Sequence, residues 1–206
     1  MSRRDRARRP ARQLGRLTPK RRILVVCEGE VTEPSYIDGF KKQCRNHLVE
    51  VRVLDSHGVP MTLVREAKQQ RAYACREAKA GQDENLMLDE VWCVFDVDEH
   101  PNFANACQMA RDNDICLAVS SPCFELWLLL HFQDSPGAQH RDQVRRLLKK
   151  HMPGYSKKID FEDVAKHIGA AMARAERLQF QADQDEDSHR NPTSSVYKLL
   201  KSIQAV

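Results

Sequence analysis

The chain lacks any apolar run near the roughly 18–20 residues that a bilayer-spanning helix needs. Its longest, 124–132, is interrupted by Glu125 and His131. The first residues hold no apolar segment of the kind that marks a secretory signal. No internal repeat is visible, so a solenoid or propeller is not expected. The seven cysteines are odd in number and no pair has C-x-x-C spacing. That argues against a disulfide framework and against a zinc knuckle. Several cysteines fall inside apolar runs, where a reduced thiol packs as a small hydrophobe. These absences together predict a soluble, cytoplasmic protein with no membrane partner.

What is present is a 206-residue chain, 41% hydrophobic, long enough for one domain or one domain with an appendage. Charge is unevenly spread. Residues 1–22 hold ten Lys and Arg against the single acid Asp5, a net +9, while the whole chain is +4. The remainder therefore carries −5, and the basicity belongs to a tail. Residues 1–20 read as a disordered basic arm. Arg3, Arg4, Arg8, Arg9, Arg12 and Arg16 are its candidate phosphate contacts, acting through counterion release. A solvated tail that aids solubility is the plainer alternative.

Ile23 to Cys27 is a short unbroken apolar run, the pattern of a strand buried on both faces of a parallel sheet. Glu28-Gly29-Glu30-Val31-Thr32-Glu33 follows, and Pro34 suits the first turn of a helix running to about Cys44. Ligands of open parallel sheets sit outside the carboxyl ends of the strands, which is where Glu28 falls. A second buried run, Val91–Phe95, leads into Asp96-Val97-Asp98-Glu99-His100. With a period of two, Asp96 and Asp98 share a side, their Cα atoms about 6–7 Å apart. Two carboxylates that close repel by about 3 kcal/mol at an effective dielectric near 20. A hard divalent cation, Mg²⁺ or Mn²⁺, would offset that repulsion.

Leu48–Leu54 and Ile115–Val119 are the other predicted strands. Helices are expected over Met61–Ala80, with Gly81 as its left-handed terminator, and from the cap Asn102 to about Asn113. Strands alternating with helices predict an α/β fold with right-handed crossovers. Pro122 opens a helix that is apolar almost all round, with Glu125 in its first turn. Glu125 reads either as a member of the acidic site or as a buried acid paired with a base. His57 reads as a solvated loop histidine and His131 as one at the core edge. Further helices are expected over Arg141–Lys150 and Phe161–Leu178, then a polar linker Gln181–Arg190 and a last helix opened by Asn191-Pro192-Thr193.

A buried strand ending in Glu28-Gly29, with a third strand ending in Asp96-Val97-Asp98, resembles the Toprim domain of topoisomerases, primases and nucleases of the overcoming-lysogenization-defect type. Val26–Pro34, Phe95–Asp98, Ser121–Leu128 and Asn191–Val196 are more specifically similar to the RloB family. The resemblance spans roughly 21–205. It implies a Toprim-like, Rossmann-like four-stranded mainly parallel sheet flanked by helices over 21–135, with a helical C-terminal extension, 136–206, packed on it. It also implies a Mg²⁺- or Mn²⁺-dependent nuclease acting on DNA or on RNA such as tRNA. Such proteins serve anti-phage loci beside an AAA-type ATPase partner, and a homo-oligomer is among the expected assemblies. The implied metal set is Glu28, Asp96, Asp98, Glu33 and Glu125. Glu28 doubles as acid or base, and Lys157 or Lys158 neutralises the reacting phosphate. One departure stands out. The related nucleases carry a second glutamate four residues after the first, where this chain has Thr32. The second acid is thus open between Glu30, Glu33 and neither. A non-catalytic, ATPase-binding scaffold with a vestigial acidic site is the alternative function, and a primase-like activity ranks below both.

Overall fold

A computed structural model describes residues 19–55, 58–97, 102–187 and 189–205. The arm arginines, His57 and Asp98 lie outside the described residues.

Among the described residues five strands form one sheet in the order β2-β1-β3-β4-β5. They are β1 Arg21–Cys27, β2 Val49–Asp55, β3 Glu90–Asp96, β4 Cys116–Ser121 and β5 Thr193–Ser194. The first four are parallel, and β5 pairs antiparallel with β4. The four-strand expectation is therefore one strand short. Two residues are too few to show a period, and hydroxyls in and beside β5 add to its backbone pairing with β4. Ser195 Oγ accepts from the Val119 N–H at 2.8 Å, and the Ser120 and Ser194 hydroxyls meet at 3.0 Å.

The apolar alternation of β1 divides the molecule into two layers. Ile23, Val25 and Cys27 face one cluster and Leu24 and Val26 the other. The second cluster is closed by α2 (Pro60–Gly81) and α3 (Phe103–Asp112) through Leu63, Val64, Ala67, Ala106 and Ala110. The first is larger. It takes Tyr36, Ile37 and Phe40 from α1 (Thr32–Cys44) and every apolar residue of α4 (Phe124–Leu129). Val144 and Leu148 of α5 (Arg141–His151), Ala171 and Ala175 of α7 (Ile168–Gln184), and Leu199 and Leu200 of α8 (Val196–Gln204) complete it. Residues 136–206 thus supply a strand and much of one face of the same core. Each fully buried Leu, Ile, Val or Phe contributes about 1.5–3 kcal/mol.

Several boundaries differ from expectation for local reasons. Helix α1 starts at Thr32, two residues before Pro34. Its first backbone bond runs from the Ser35 N–H to Val31 O at 3.1 Å, so Pro34 replaces an N–H that has no helical partner anyway. The left-handed residue ending α2 is Gln82, at φ 49°, and Gly81 remains helical. Asn102 stands at the start of α3, but its side chain makes no cap bond. The helix expected over 161–178 breaks into α6 (Glu162–Ala165) and α7, and α7 runs on to Gln184 through part of the expected linker. The predicted Pro122 helix is real but short, and all six residues of α4 are buried. All seven cysteines are free.

Candidate functional site

The order β2-β1-β3 reverses direction at β1, so a crevice opens at the carboxyl ends of β1 and β3. The chain leaving β1 stays against β3 for one more residue, the Glu28 N–H donating to Val94 O at 3.0 Å. The Glu28 carboxylate then turns to β3, and its Oε2 accepts from the Asp96 N–H at 3.1 Å. Two acids read from separate strands are thereby fixed side by side. Glu33, in the first turn of α1, is buried and folds back over Gly29. A Cβ at position 29 would lie 2.0 Å from Glu33 Oε2, so no side chain fits there while Glu33 keeps this place. Glu125, in the first turn of α4, is also buried.

These four acids and Glu30 line one cavity of about 430 Å³, together with Arg141, Arg145 and Lys157. Helix α5 supplies the two arginines. One Arg141 Nη2–H donates to Asp96 Oδ2 at 3.2 Å, and the Arg145 Nε–H donates to Glu125 Oε1 at 2.8 Å. Their i, i+4 spacing puts both on one helix face, beside the buried stripe Val144 and Leu148. The Tyr155 hydroxyl also donates to Glu125 Oε1, at 3.3 Å. Thr32 occupies the departure from the related pattern, and its hydroxyl donates to Lys157 O at 2.7 Å. It ties α1 to the loop that carries Lys157, whose φ of 73° is left-handed. Lys158 lines a different cavity, so of the two lysines only Lys157 joins the acids. Glu30 is exposed at the rim, while Glu33 is buried in the cavity wall.

The electrostatics are lopsided. Among the described residues five carboxyl groups and three cations line the cavity. Burial, then Glu33, Glu125 and Glu28, push the Asp96 carboxyl well above the usual range, against the pull of Arg141. Burial likewise raises Glu33, helped by Glu125 and Glu28 and opposed by a backbone hydrogen bond and Lys157. Burial would raise Glu125 too, but hydrogen bonds from Arg145 and Cys123 outweigh it and hold that carboxyl below the usual range.

Asp96 Oδ1 is buried and has no hydrogen-bond partner among the described residues. A bare carboxylate oxygen beside an all-oxygen donor set fits a hard cation. Among the described residues no three His, Cys, Asp or Glu side chains form a ready ligand group.

The RloB-like protein family model matches residues 23–203. The chain belongs to the RloB-like family. Every residue lining the cavity falls within the match. No curated protein matches the chain.

Three members of this RloB-like site are not singled out by the sequence: Arg141, Arg145 and Tyr155. The i, i+4 arginine pair is the available signal, though spacing alone does not say which acids it meets. Removing one partner of a buried pair costs about 3–5 kcal/mol. Arg145 is 37% exposed, so Arg145→Met should cost less, about 2 kcal/mol at pH 7. Because Glu125 has a lowered pKa, the pair's contribution is present above the ordinary carboxylate range and is lost as pH falls through the folded value below it. Adding Glu125→Gln should recover most of the loss. Urea midpoints of the single and double variants check this. A single variant as stable as the parent would mean that Tyr155 and Cys123 suffice for Glu125.

Proposed function

We propose that this RloB-like protein is a metal-dependent nuclease that hydrolyses phosphodiester bonds in DNA or RNA, tRNA included. One observation carries the reading: acids suited to a hard cation and bases suited to phosphate share one cavity at the switch point of a parallel sheet. Glu28 and Asp96 would hold Mg²⁺ or Mn²⁺, with Asp98 of the same acidic run as a further candidate. When bound, the ion supplies Lewis acidity and a water of lowered pKa.

The chain's own groups do the rest. The Asp96 N–H orients the Glu28 carboxylate, which would take a proton from the attacking water. Arg141 and Lys157 offset charge on the phosphate oxygens. Arg145, held by Glu125, keeps α5 against the cavity. The anti-phage role and the AAA-type ATPase partner rest on the family resemblance alone.

A second reading, a non-catalytic scaffold for that ATPase, has one observation in its favour: Arg141 and Arg145 already pair with Asp96 and Glu125. Calorimetric titration with Mn²⁺ separates the two. The nuclease reading expects binding that Asp96→Ala abolishes, and the scaffold reading expects none. Deleting residues 1–19 should leave folding intact, weaken nucleic-acid binding and make its salt dependence shallower, because fewer counterions are released. Unchanged affinity and slope would make the arm a solubility tail.

A further inference from the structure

Beside the acidic cavity lies a second one of about 750 Å³, within the size range of small-ligand sites. Phe132, His151, Tyr155 and Lys158 line it, with Asp160 and Asp163. The loop 155–158 is the wall between the two. Tyr155 lines the second cavity while its hydroxyl reaches Glu125 in the first, and Lys157 and Lys158 serve opposite sides.

His151 is built as a platform. Its ring lies parallel to that of Phe132, 5.1 Å between centroids and 5° between planes. Its Nε2–H donates to Gln133 Oε1 at 2.9 Å. The imidazole is exposed, yet fixed on one side by a ring and at one edge by an amide. Flat π surfaces fixed in this way stack nucleobases. Asp160 and Asp163 would repel a phosphate, but they can accept from the exocyclic amino groups of bases.

We infer that the second cavity receives a nucleobase of the single strand whose phosphate occupies the acidic cavity. This rests on the nuclease reading. Helix α5 joins the two places: Arg145 faces the acids, and His151 lies six residues on. That is about 9 Å of helix, or on the order of three stacked nucleotides. Arg146, Lys149 and Lys150 are exposed along the way and can follow the backbone.

The test uses the full chain with Ca²⁺, a hard oxygen-binding cation, in place of Mg²⁺ or Mn²⁺, and short fluorescein-labelled single strands of DNA and of RNA that gels show to stay intact. An abasic residue is moved one position at a time along each. The parent should lose roughly tenfold in affinity at one position, the size of one base–aromatic stack. His151→Ala should bind the intact strand roughly tenfold more weakly and show no abasic penalty, and His151→Tyr should restore both. Matching circular dichroism shows that the variants fold. A penalty that persists in His151→Ala, or none at any position in a strand that binds, overturns the subsite and leaves the nuclease reading standing. No binding of any strand by the parent overturns both. Whichever of DNA or RNA shows the penalty identifies the strand.

Discussion

Asp96→Asn should lower cleavage at least a hundredfold, about 3 kcal/mol of lost transition-state stabilisation, while the metal-free protein stays as stable as the parent or becomes more so. The substitution keeps shape and removes one charge. In the folded protein that charge is disfavoured by burial and by Glu33, Glu125 and Glu28, and these together outweigh Arg141. Arg141 is 31% exposed and can turn to water when its partner is neutral. A structural aspartate behaves in the opposite way: losing its hydrogen bonds costs stability, about 1 kcal/mol or more, and no rate. Melting temperatures with and without Mg²⁺, measured beside the cleavage rate, separate the cases. Lower metal-free stability with an intact rate would end the case for Asp96 as a ligand.

Acid should destabilise the protein by about 3 kcal/mol through His131 alone as pH falls from 6.5 to below 4. His131 is buried, and burial lowers its pKa to about 4 from an ordinary 6.5. Its Nδ1 meets Trp127 O at 3.0 Å, so that nitrogen carries the proton, and Nε2 accepts from the Tyr36 hydroxyl at 3.0 Å. Protonating Nε2 would set a donor against that hydroxyl proton, in a cage of Tyr36, Trp127 and Phe132. The folded pKa is depressed, so the unfolded chain binds the extra proton first. The contribution is whole above pH 6.5 and is lost as pH falls toward 4. Asp96 and Glu33, whose pKa values are raised, act in the other direction, so the comparison must be with a variant. His131→Gln keeps one donor and one acceptor without titrating. Urea midpoints from pH 7 to 4 should fall more steeply in the parent. Parallel curves would mean that His131 charges without cost.

Much of the sheet was legible because its strands are apolar on both faces: 23–27 and 91–95 lie within the strands observed. Glu28 and Asp96 were legible for the same reason, since each follows such a run. Thr193–Ser194 was not. A two-residue polar strand has no period, and its partner is some seventy positions away in β4. The break between α6 and α7 was hidden by a sequence that stays helix-compatible through it. The arginines were hidden differently. Arg141 and Arg145 are visible as a basic helix, but only the packing of Val144 and Leu148 into the first core layer turns that helix toward Asp96 and Glu125. Lys157 and Lys158 could not be told apart by adjacency, and the left-handed turn at Lys157 sends them to different cavities.

The central claim is most directly tested by incubating the purified chain, alone and with an ATPase encoded beside it, with end-labelled DNA and total tRNA in Mn²⁺, Mg²⁺ or EDTA. The account predicts fragments from at least one substrate with metal, none in EDTA, and none above background from Asp96→Asn. Intact substrates under every metal and partner condition, by protein that binds them, would contradict it and favour the scaffold.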